Sequence, residues 1–129
     1  MLSPTAHVRI YIAVETVDMR KGFDGLAAVV RESLRRDPMS GELFVFLNRC
    51  RDRVKILYWD RSGWVIFYKR LERGTFKLPA KPQLGQTSIE LEAAELSLLL
   101  EGIDLAGARR RERWVPGSRR AALDVRATS

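Results

Sequence analysis

The sequence has only one cysteine, Cys50, and only one histidine, His7. A lone cysteine can form neither an internal disulfide nor a thiolate metal cluster, so disulfide scaffolds and zinc fingers are excluded. No apolar run approaches the ~20 residues that span a bilayer, and the first residues lack the basic and apolar segments of a signal peptide. We therefore expect a cytoplasmic protein that makes no membrane contact.

Residues that support catalysis are also scarce. His7 has no visible partner, and no residue near Cys50 completes a pair of nucleophile and base. No Walker-type Gly-Lys-Ser/Thr sequence is present, so nucleotide hydrolysis is not supported. The acids that a metal pair would need each have a ready role at a helix cap or turn, namely Asp18, Asp37, Asp52 and Asp60. The sequence thus predicts no enzyme, no cofactor and no metal site.

Positive charge is present in excess. The 129 residues carry 23 Lys and Arg against 16 Asp and Glu, and 18 of these bases are arginine, whose planar guanidinium binds phosphate bidentately. Residues 1–81 hold 16 bases and 9 acids, residues 82–108 hold 5 acids and no base, and residues 109–129 hold 7 bases and 2 acids. This uneven pattern favours one surface for a polyanion and a second surface for another partner.

The length fits one compact domain, and hydrophobic patterning predicts its elements. A helix is predicted to begin after its N-cap, Asp18, and its apolar residues recur at helical spacing from Phe23 to Leu34. Predicted strands lie at Val8–Val14, Leu43–Leu47, Val54–Tyr58 and Trp64–Tyr68. The last three strands form a meander joined by turns at Arg49–Asp52 and Asp60–Gly63, with Gly63 suited to a left-handed conformation.

A connector follows the meander and leads to a last strand and a second helix. The strand is predicted at Thr87–Leu91 and the helix at Ala93–Glu101, with Glu92 as a weak N-cap and Gly102 as the stop signal. We therefore predict an α+β domain over residues 1–106, with two helices and a mainly antiparallel sheet of four to five strands. Residues 107–129 are predicted to form a basic, mobile tail.

The meander carries the densest chemical signal. Nine bases and three acids lie between Arg49 and Lys77. Arginines at every second position around the first turn, Arg49, Arg51 and Arg53, can project together from one end of the sheet. An alternative role for such charges is to discourage pairing at sheet edges. Aromatic residues are interleaved with these charges: Tyr58, Trp59, Trp64, Phe67 and Tyr68. They can stack on nucleobases or fill the core, and core filling is the commoner role.

A second signal precedes and enters the first helix. Arg20 and Lys21 lie in the first turn of the predicted helix, where they oppose the helix dipole, whereas a bound phosphate there would make both bases favourable. The alternative is that the bases are only solvated, while Gly22 and Gly25 let the helix lie close on the sheet.

Several ordered motifs closely resemble TnpB, the protein of the second small open reading frame of bacterial IS66-type insertion sequences. The resemblance covers roughly Val8 to Asp104. It rests on Asp18-Met19-Arg20-Lys21-Gly22-Phe23-Asp24-Gly25-Leu26, Asp37-Pro38-Met39-Ser40-Gly41, Leu43-Phe44-Val45-Phe46, Lys69-Arg70-Leu71-Glu72-Arg73-Gly74 and Leu99-Leu100-Glu101-Gly102-Ile103-Asp104.

The resemblance implies an accessory protein for DNA transposition that acts beside a separate, larger transposase, and it supplies no catalytic residues. Three hypotheses follow. The first is a protein that binds DNA, with the transposon ends as the expected target, through nine bases: Arg20, Lys21, Arg49, Arg51, Arg53, Lys55, Lys69, Arg70 and Arg73. The second is an adaptor that binds the transposase through the acidic segment 82–108. The third is a metal-dependent nuclease, for which no sequence feature selects the catalytic Asp. Basic charge alone does not distinguish DNA from RNA.

Overall fold

The computed structural model describes residues 8–102, so His7 and the predicted tail at 107–129 lie outside the described residues. Its elements, in chain order, are β1 (Ile10–Ala13), α1 (Phe23–Glu32), β2 (Leu43–Leu47), β3 (Arg53–Trp59), β4 (Trp64–Arg70), β5 (Ser88–Leu91) and α2 (Ala93–Leu100). Each strand and helix that the hydrophobic pattern predicts is present in the predicted order, with boundaries that differ by a few residues.

The five strands form one mixed sheet in the order β4-β3-β2-β1-β5. The segment from β2 to β4 is the predicted antiparallel meander, and β5 pairs with β1 in antiparallel orientation. Only β1 and β2 are parallel, because α1 carries the chain back to the end at which β1 began. The predicted α+β class with a mainly antiparallel sheet is confirmed.

Each face of the sheet is covered by one helix. On the first, here called the α1 face, Leu26 and Val30 belong to a cluster with Phe44, Phe46 and Leu57. On the opposite α2 face, two leucines of α2 join a larger cluster that includes Phe76 and inward residues of β1, β2 and β3. Each large apolar side chain fully buried in these clusters contributes about 1.5–3 kcal/mol to folding.

The first helix begins later than predicted. Its N-cap is Gly22, and Asp18 instead accepts a hydrogen bond from the backbone N–H of Arg20 at 2.8 Å. Arg20 and Lys21 therefore precede the helix and do not lie in its first turn. A Cβ atom at Gly25 would come within 3.2 Å of the Lys21 side chain, so this glycine makes room for Lys21 and not for the sheet.

The predicted helix stop and turn residues are only partly correct. Gly102 adopts the left-handed conformation expected beyond α2, with φ of 79°. In the β3–β4 turn, however, the left-handed residue is Arg61, with φ of 53°, and not Gly63. The weak cap at Glu92 is strengthened by a capping box, in which the Glu92 N–H donates to Oε1 of Glu95 at 2.9 Å.

Candidate nucleic-acid interface

Three separate segments meet at one end of the sheet, here called the upper end, where β2 finishes and β3 begins. The loop between β1 and α1 is tied to β2, since the N–H of Val17 donates to the carbonyl of Leu47 at 2.9 Å. The chain beyond β4 is tied to the β2–β3 turn, since the N–H of Leu71 donates to the carbonyl of Asp52 at 2.8 Å. Tertiary hydrogen bonds thus bring together segments that are far apart in sequence.

Every base that the sequence analysis selected belongs to this upper end. Arg20 and Lys21 lie in the loop before α1, and Arg49 and Arg51 lie in the β2–β3 turn. The remaining five lie at the start of β3, the end of β4 or just beyond it: Arg53, Lys55, Lys69, Arg70 and Arg73. Some of these basic residues lie on the α1 face of the sheet and some on the α2 face. They differ in exposure and in hydrogen-bond partners.

The β2–β3 turn is organised by Asn48, a residue that the sequence analysis did not select. Its Oδ1 accepts the N–H groups of Asp52 at 3.0 Å and Arg53 at 2.9 Å, and its Nδ2 donates to Oδ1 of Asp52 at 2.7 Å. Arg51 adopts a left-handed conformation, with φ of 59°. The turn is therefore a fixed support for Arg49, which is exposed, and Arg51, which is half-buried.

Two arginines face each other directly across the last strand pair. Arg53 of β3 and Arg70 of β4 are register partners on the α1 face, and the adjacent pair on that face is Lys55 with Tyr68. Arg53 donates to the Tyr68 hydroxyl at 3.1 Å, which raises the pKa of Arg53. Like charges directly opposite in a sheet are unfavourable, so this arrangement is not one that stability alone would select.

Glu72 partly offsets the charge of these arginines. Its Oε2 accepts hydrogen bonds from Arg70, at 3.1 Å from Nη2 and 3.3 Å from Nε. Both side chains are mostly exposed, so an ion pair of this kind is weak and an incoming anion can replace it. Arg53, Tyr68, Arg70 and Glu72 line an open depression of about 390 Å³.

Lys55 has a structural environment. The residue is only 9% exposed, and its Nζ donates to the backbone carbonyls of Met19 at 2.7 Å and Lys21 at 2.9 Å. The ammonium also lies 4.8 Å from the centroid of the Tyr68 ring. Lys55 therefore fastens the loop before α1 to the sheet, and its charge is already matched by backbone oxygens.

Lys69 serves the second helix in a similar way. Its Nζ donates to the carbonyl oxygen of Leu100, the last residue of α2, at 2.7 Å. The last turn of α2 contains no basic residue of its own, and a positive charge at that end is favourable for the helix dipole. A strand residue thus supplies the charge that the helix lacks.

The other bases are exposed or only partly covered. Arg20 forms an ion pair with Asp18, with Nη2 2.7 Å from Oδ2, and hydrogen bonds from Arg20 lower the pKa of Asp18 to about 2. Within residues 8–102, no side-chain hydrogen bond or ion pair engages four of the bases: Lys21, Arg49, Arg51 and Arg73. These four can contact phosphate without first losing a partner.

The aromatic residues of the meander mostly fill the core, as predicted. Tyr58 and Phe67 pack on the α2-face cluster, and Trp64 packs on the α1-face cluster. Trp59 meets Trp64 edge to face, with ring centroids 5.0 Å apart. Tyr68 is the exception, because it is 48% exposed.

Three of the four aspartates that the sequence places at caps or turns stabilise turns in the structure. Asp37 accepts the N–H of Met39 at 2.9 Å, and Asp18 and Asp52 accept the bonds described above. In residues 8–102, no three His, Cys, Asp or Glu side chains come together as a metal-binding group.

Within the same range, no helix is long and apolar enough to cross a membrane. Cys50 is exposed in the β2–β3 turn.

Comparison with known proteins identifies relatives along most of the chain. Residues 8–110 match the family described as IS66 Orf2 like protein. The uncharacterized protein y4jC of Sinorhizobium fredii is 36% identical over 111 residues, which cover 86% of this chain and 92% of the relative. The uncharacterized protein y4hO of the same organism is 41% identical over 104 residues, 81% of this chain and 88% of the relative. No solved structure matches the chain significantly.

Proposed function

The chain belongs to the family of IS66 Orf2-like proteins, and we propose that it binds DNA through its upper end as a non-catalytic accessory protein beside a separate transposase. Family membership makes it an insertion-sequence-associated protein. The DNA contact and the transposase partner are our inferences. They are supported by the charge and geometry of the upper end.

The opposition of Arg53 and Arg70 carries this proposal. The two arginines are direct cross-strand register partners, an arrangement in which like charges are unfavourable, and an anion bound there would be attracted to both. The phosphates of a nucleic acid are anions that repeat along its backbone, so they can contact several neighbouring Lys and Arg side chains of the upper end at once. The exposed arginines of the β2–β3 turn would extend the contact.

The contacts of the nine bases suggest which of them are available to phosphate. Lys55 and Lys69 donate to backbone carbonyls, whereas Arg20 and Arg70 are each held only by an exposed ion pair. Seven bases remain for direct contact: Arg20, Lys21, Arg49, Arg51, Arg53, Arg70 and Arg73. Contacts to phosphate carry no sequence information directly, so we expect binding with little sequence preference.

The salt dependence of binding tests this proposal. If about five phosphates are neutralised, log K for duplex DNA should fall with log salt concentration with a slope of roughly −4 to −5. Titration of labelled duplex at several salt concentrations measures this slope. A slope near zero, or no binding at low salt, would contradict the proposal. A parallel titration with RNA of the same sequence shows whether the affinity depends on the sugar of the nucleic acid.

Two neighbouring substitutions provide a matched pair with opposite signs. Arg70→Gln removes a positive charge from the depression and should weaken binding. Glu72→Gln removes the carboxylate that competes for Arg70 and should strengthen binding. Both variants break the same exposed ion pair, so an effect on folding would be shared and an effect on DNA would be opposite.

The distribution of acidic residues favours a second candidate function, a protein adaptor. From Pro82 to Gly102 the chain contains four glutamates and no base. Glu90, on the edge strand β5, and Glu92 and Glu101, at the two ends of α2, are exposed. Since β5 and β4 form opposite edges of the sheet, a transposase bound at Glu90 would leave the upper end of β4 accessible, whereas Glu101 lies beside that end, next to the contact of Lys69 with Leu100.

A pull-down with the transposase separates the two candidates. An adaptor retains its partner after nuclease treatment and loses it when Glu90 is changed to lysine. A protein that meets the transposase only through shared DNA loses it on nuclease treatment alone. Glu32→Lys, at an exposed acid in the last turn of α1 and away from the upper end, is the control substitution.

A further inference from the structure

Phosphate binding leaves the exposed ring of Tyr68 unexplained. Tyr68 lies on the α1 face of the edge strand β4 and is 48% exposed. Other aromatic residues of β3 and β4, such as Tyr58 and Phe67, pack against the core. An aromatic side chain left in solvent beside positive charge is typical of proteins that bind single-stranded nucleic acid.

The ring of Tyr68 is held in place at two points. Lys55 places its ammonium over one face of the ring, 4.8 Å from the centroid, and Arg53 donates to the hydroxyl at 3.1 Å. Both contacts restrict rotation of the side chain, so the ring is oriented before any ligand binds. Because Lys55 occupies one face, the opposite face is left for a ligand.

The surroundings of the ring fit a nucleotide. Arg53, Tyr68, Arg70 and Glu72 line an open depression of about 390 Å³, so a nucleotide can reach the ring directly from solvent. Guanidinium groups on the neighbouring positions can bind the phosphate of a nucleotide whose base contacts the ring.

Base pairing decides which form of DNA can use this site. In a duplex each base is stacked between its neighbours and presents no free face, so only the charged residues of the upper end can engage it. In a single strand the base can leave its neighbours and stack on an aromatic ring. The two forms of DNA should therefore differ in their dependence on Tyr68.

We propose that Tyr68 stacks on an unpaired base, so that the upper end binds single-stranded DNA more tightly than duplex DNA. This inference rests on the proposed DNA contact and adds the class of ligand. The charged residues set the general affinity, and Tyr68 sets the preference for a single strand.

Fluorescence anisotropy with the full chain and short labelled oligonucleotides tests this inference. Tyr68→Ala should weaken binding of a single strand about tenfold and change binding of the matching duplex by less than about twofold. Tyr68→Phe retains the ring and should bind the single strand nearly as well as the unchanged protein. Thermal unfolding of each variant shows whether it is folded.

An abasic strand gives a readout that needs no substitution in the protein. It has the same phosphates but no bases to stack, so the unchanged protein should bind it about tenfold less tightly than the intact strand. Equal binding of the intact and abasic strands would overturn the stacking inference, as would an equal loss for duplex and single strand in Tyr68→Ala. In either case DNA binding itself would stand. Absence of binding to both forms at low salt would overturn the proposed function as well.

Discussion

The ammonium of Lys55 donates to the backbone carbonyl of Met19 at 2.7 Å, across 36 residues of sequence. A second bond to the carbonyl of Lys21 completes the attachment of the loop before α1 to β3. Lys55 therefore holds in place the loop that carries Arg20 and Lys21, and its ammonium is not free to contact phosphate. The predictions below separate such supporting bases from those that can contact phosphate.

Lys55→Met should lower the free energy of unfolding by about 2 kcal/mol, because it leaves two carbonyl oxygens without their donor. The change is measured by urea denaturation. Lys77→Met, at an exposed position, is the control and should change stability by less than about 0.5 kcal/mol. If the two variants are equally stable, the carbonyl bonds do not support the loop.

Lys69→Met should destabilise the end of α2, because the carbonyl of Leu100 loses a charged donor. We expect a loss of about 1–2 kcal/mol, with faster hydrogen exchange at the α2 amides than in the central strands. The salt dependence of DNA binding should keep its slope. A shallower slope would show that Lys69 contacts phosphate instead.

Arg51 and Arg61 form a matched pair at opposite ends of the sheet. Both are arginines in left-handed conformation in hairpin turns, with φ of 59° and 53°. Arg51→Gln should reduce the magnitude of the salt slope by about 1, whereas Arg61→Gln should leave it unchanged. Equal effects of the two substitutions would mean that overall charge, and not the upper end, governs binding.

Arg35→Gly should stabilise the protein. Arg35 has φ of 58° just beyond α1, where the N–H of Arg36 donates to the carbonyl of Val30 at 3.0 Å. A non-glycine residue in this conformation costs about 1 kcal/mol, so glycine should raise the melting temperature by a few degrees. Arg35→Ala removes the same charge but keeps the strain, and an equal rise in that variant would exclude the backbone explanation.

Asp18 should titrate at about 2, compared with its usual value of 3.8, because Arg20 donates to its carboxylate from both side chain and backbone. A pKa that is lower in the folded state means that the ionised carboxylate adds stability above about pH 4. That contribution is lost as the pH falls toward 2. Carboxyl NMR shifts measure the titration.

Arg20→Ala should move this pKa only part of the way back toward 3.8, since the backbone N–H of residue 20 still donates to Asp18. An unchanged titration midpoint in the variant would exclude Arg20 as the main cause.

The elements of the fold were predictable because their signals are local. Alternating or continuous apolar residues marked the strands, and helical spacing marked α1 from Phe23 onward. Cap and turn residues were less predictable. Asp18 has the chemistry of an N-cap, but it bonds to Arg20 and the helix starts at Phe23. Sequence analysis also could not tell that Arg61, and not Gly63, would take the left-handed position, because the two residues lie in the same turn.

The amino-acid sequence alone established the family resemblance, the α+β class, and an arginine-rich meander, since composition and spacing are properties of the chain. Folding decided which groups each of these basic residues contacts. Long-range contacts set Arg53 opposite Arg70 and left half of Tyr68 in solvent, and they directed Lys55 and Lys69 to carbonyls 31 to 36 residues away. No local pattern encodes these relationships, because a hydrogen-bond acceptor or register partner is selected by the packing of distant segments.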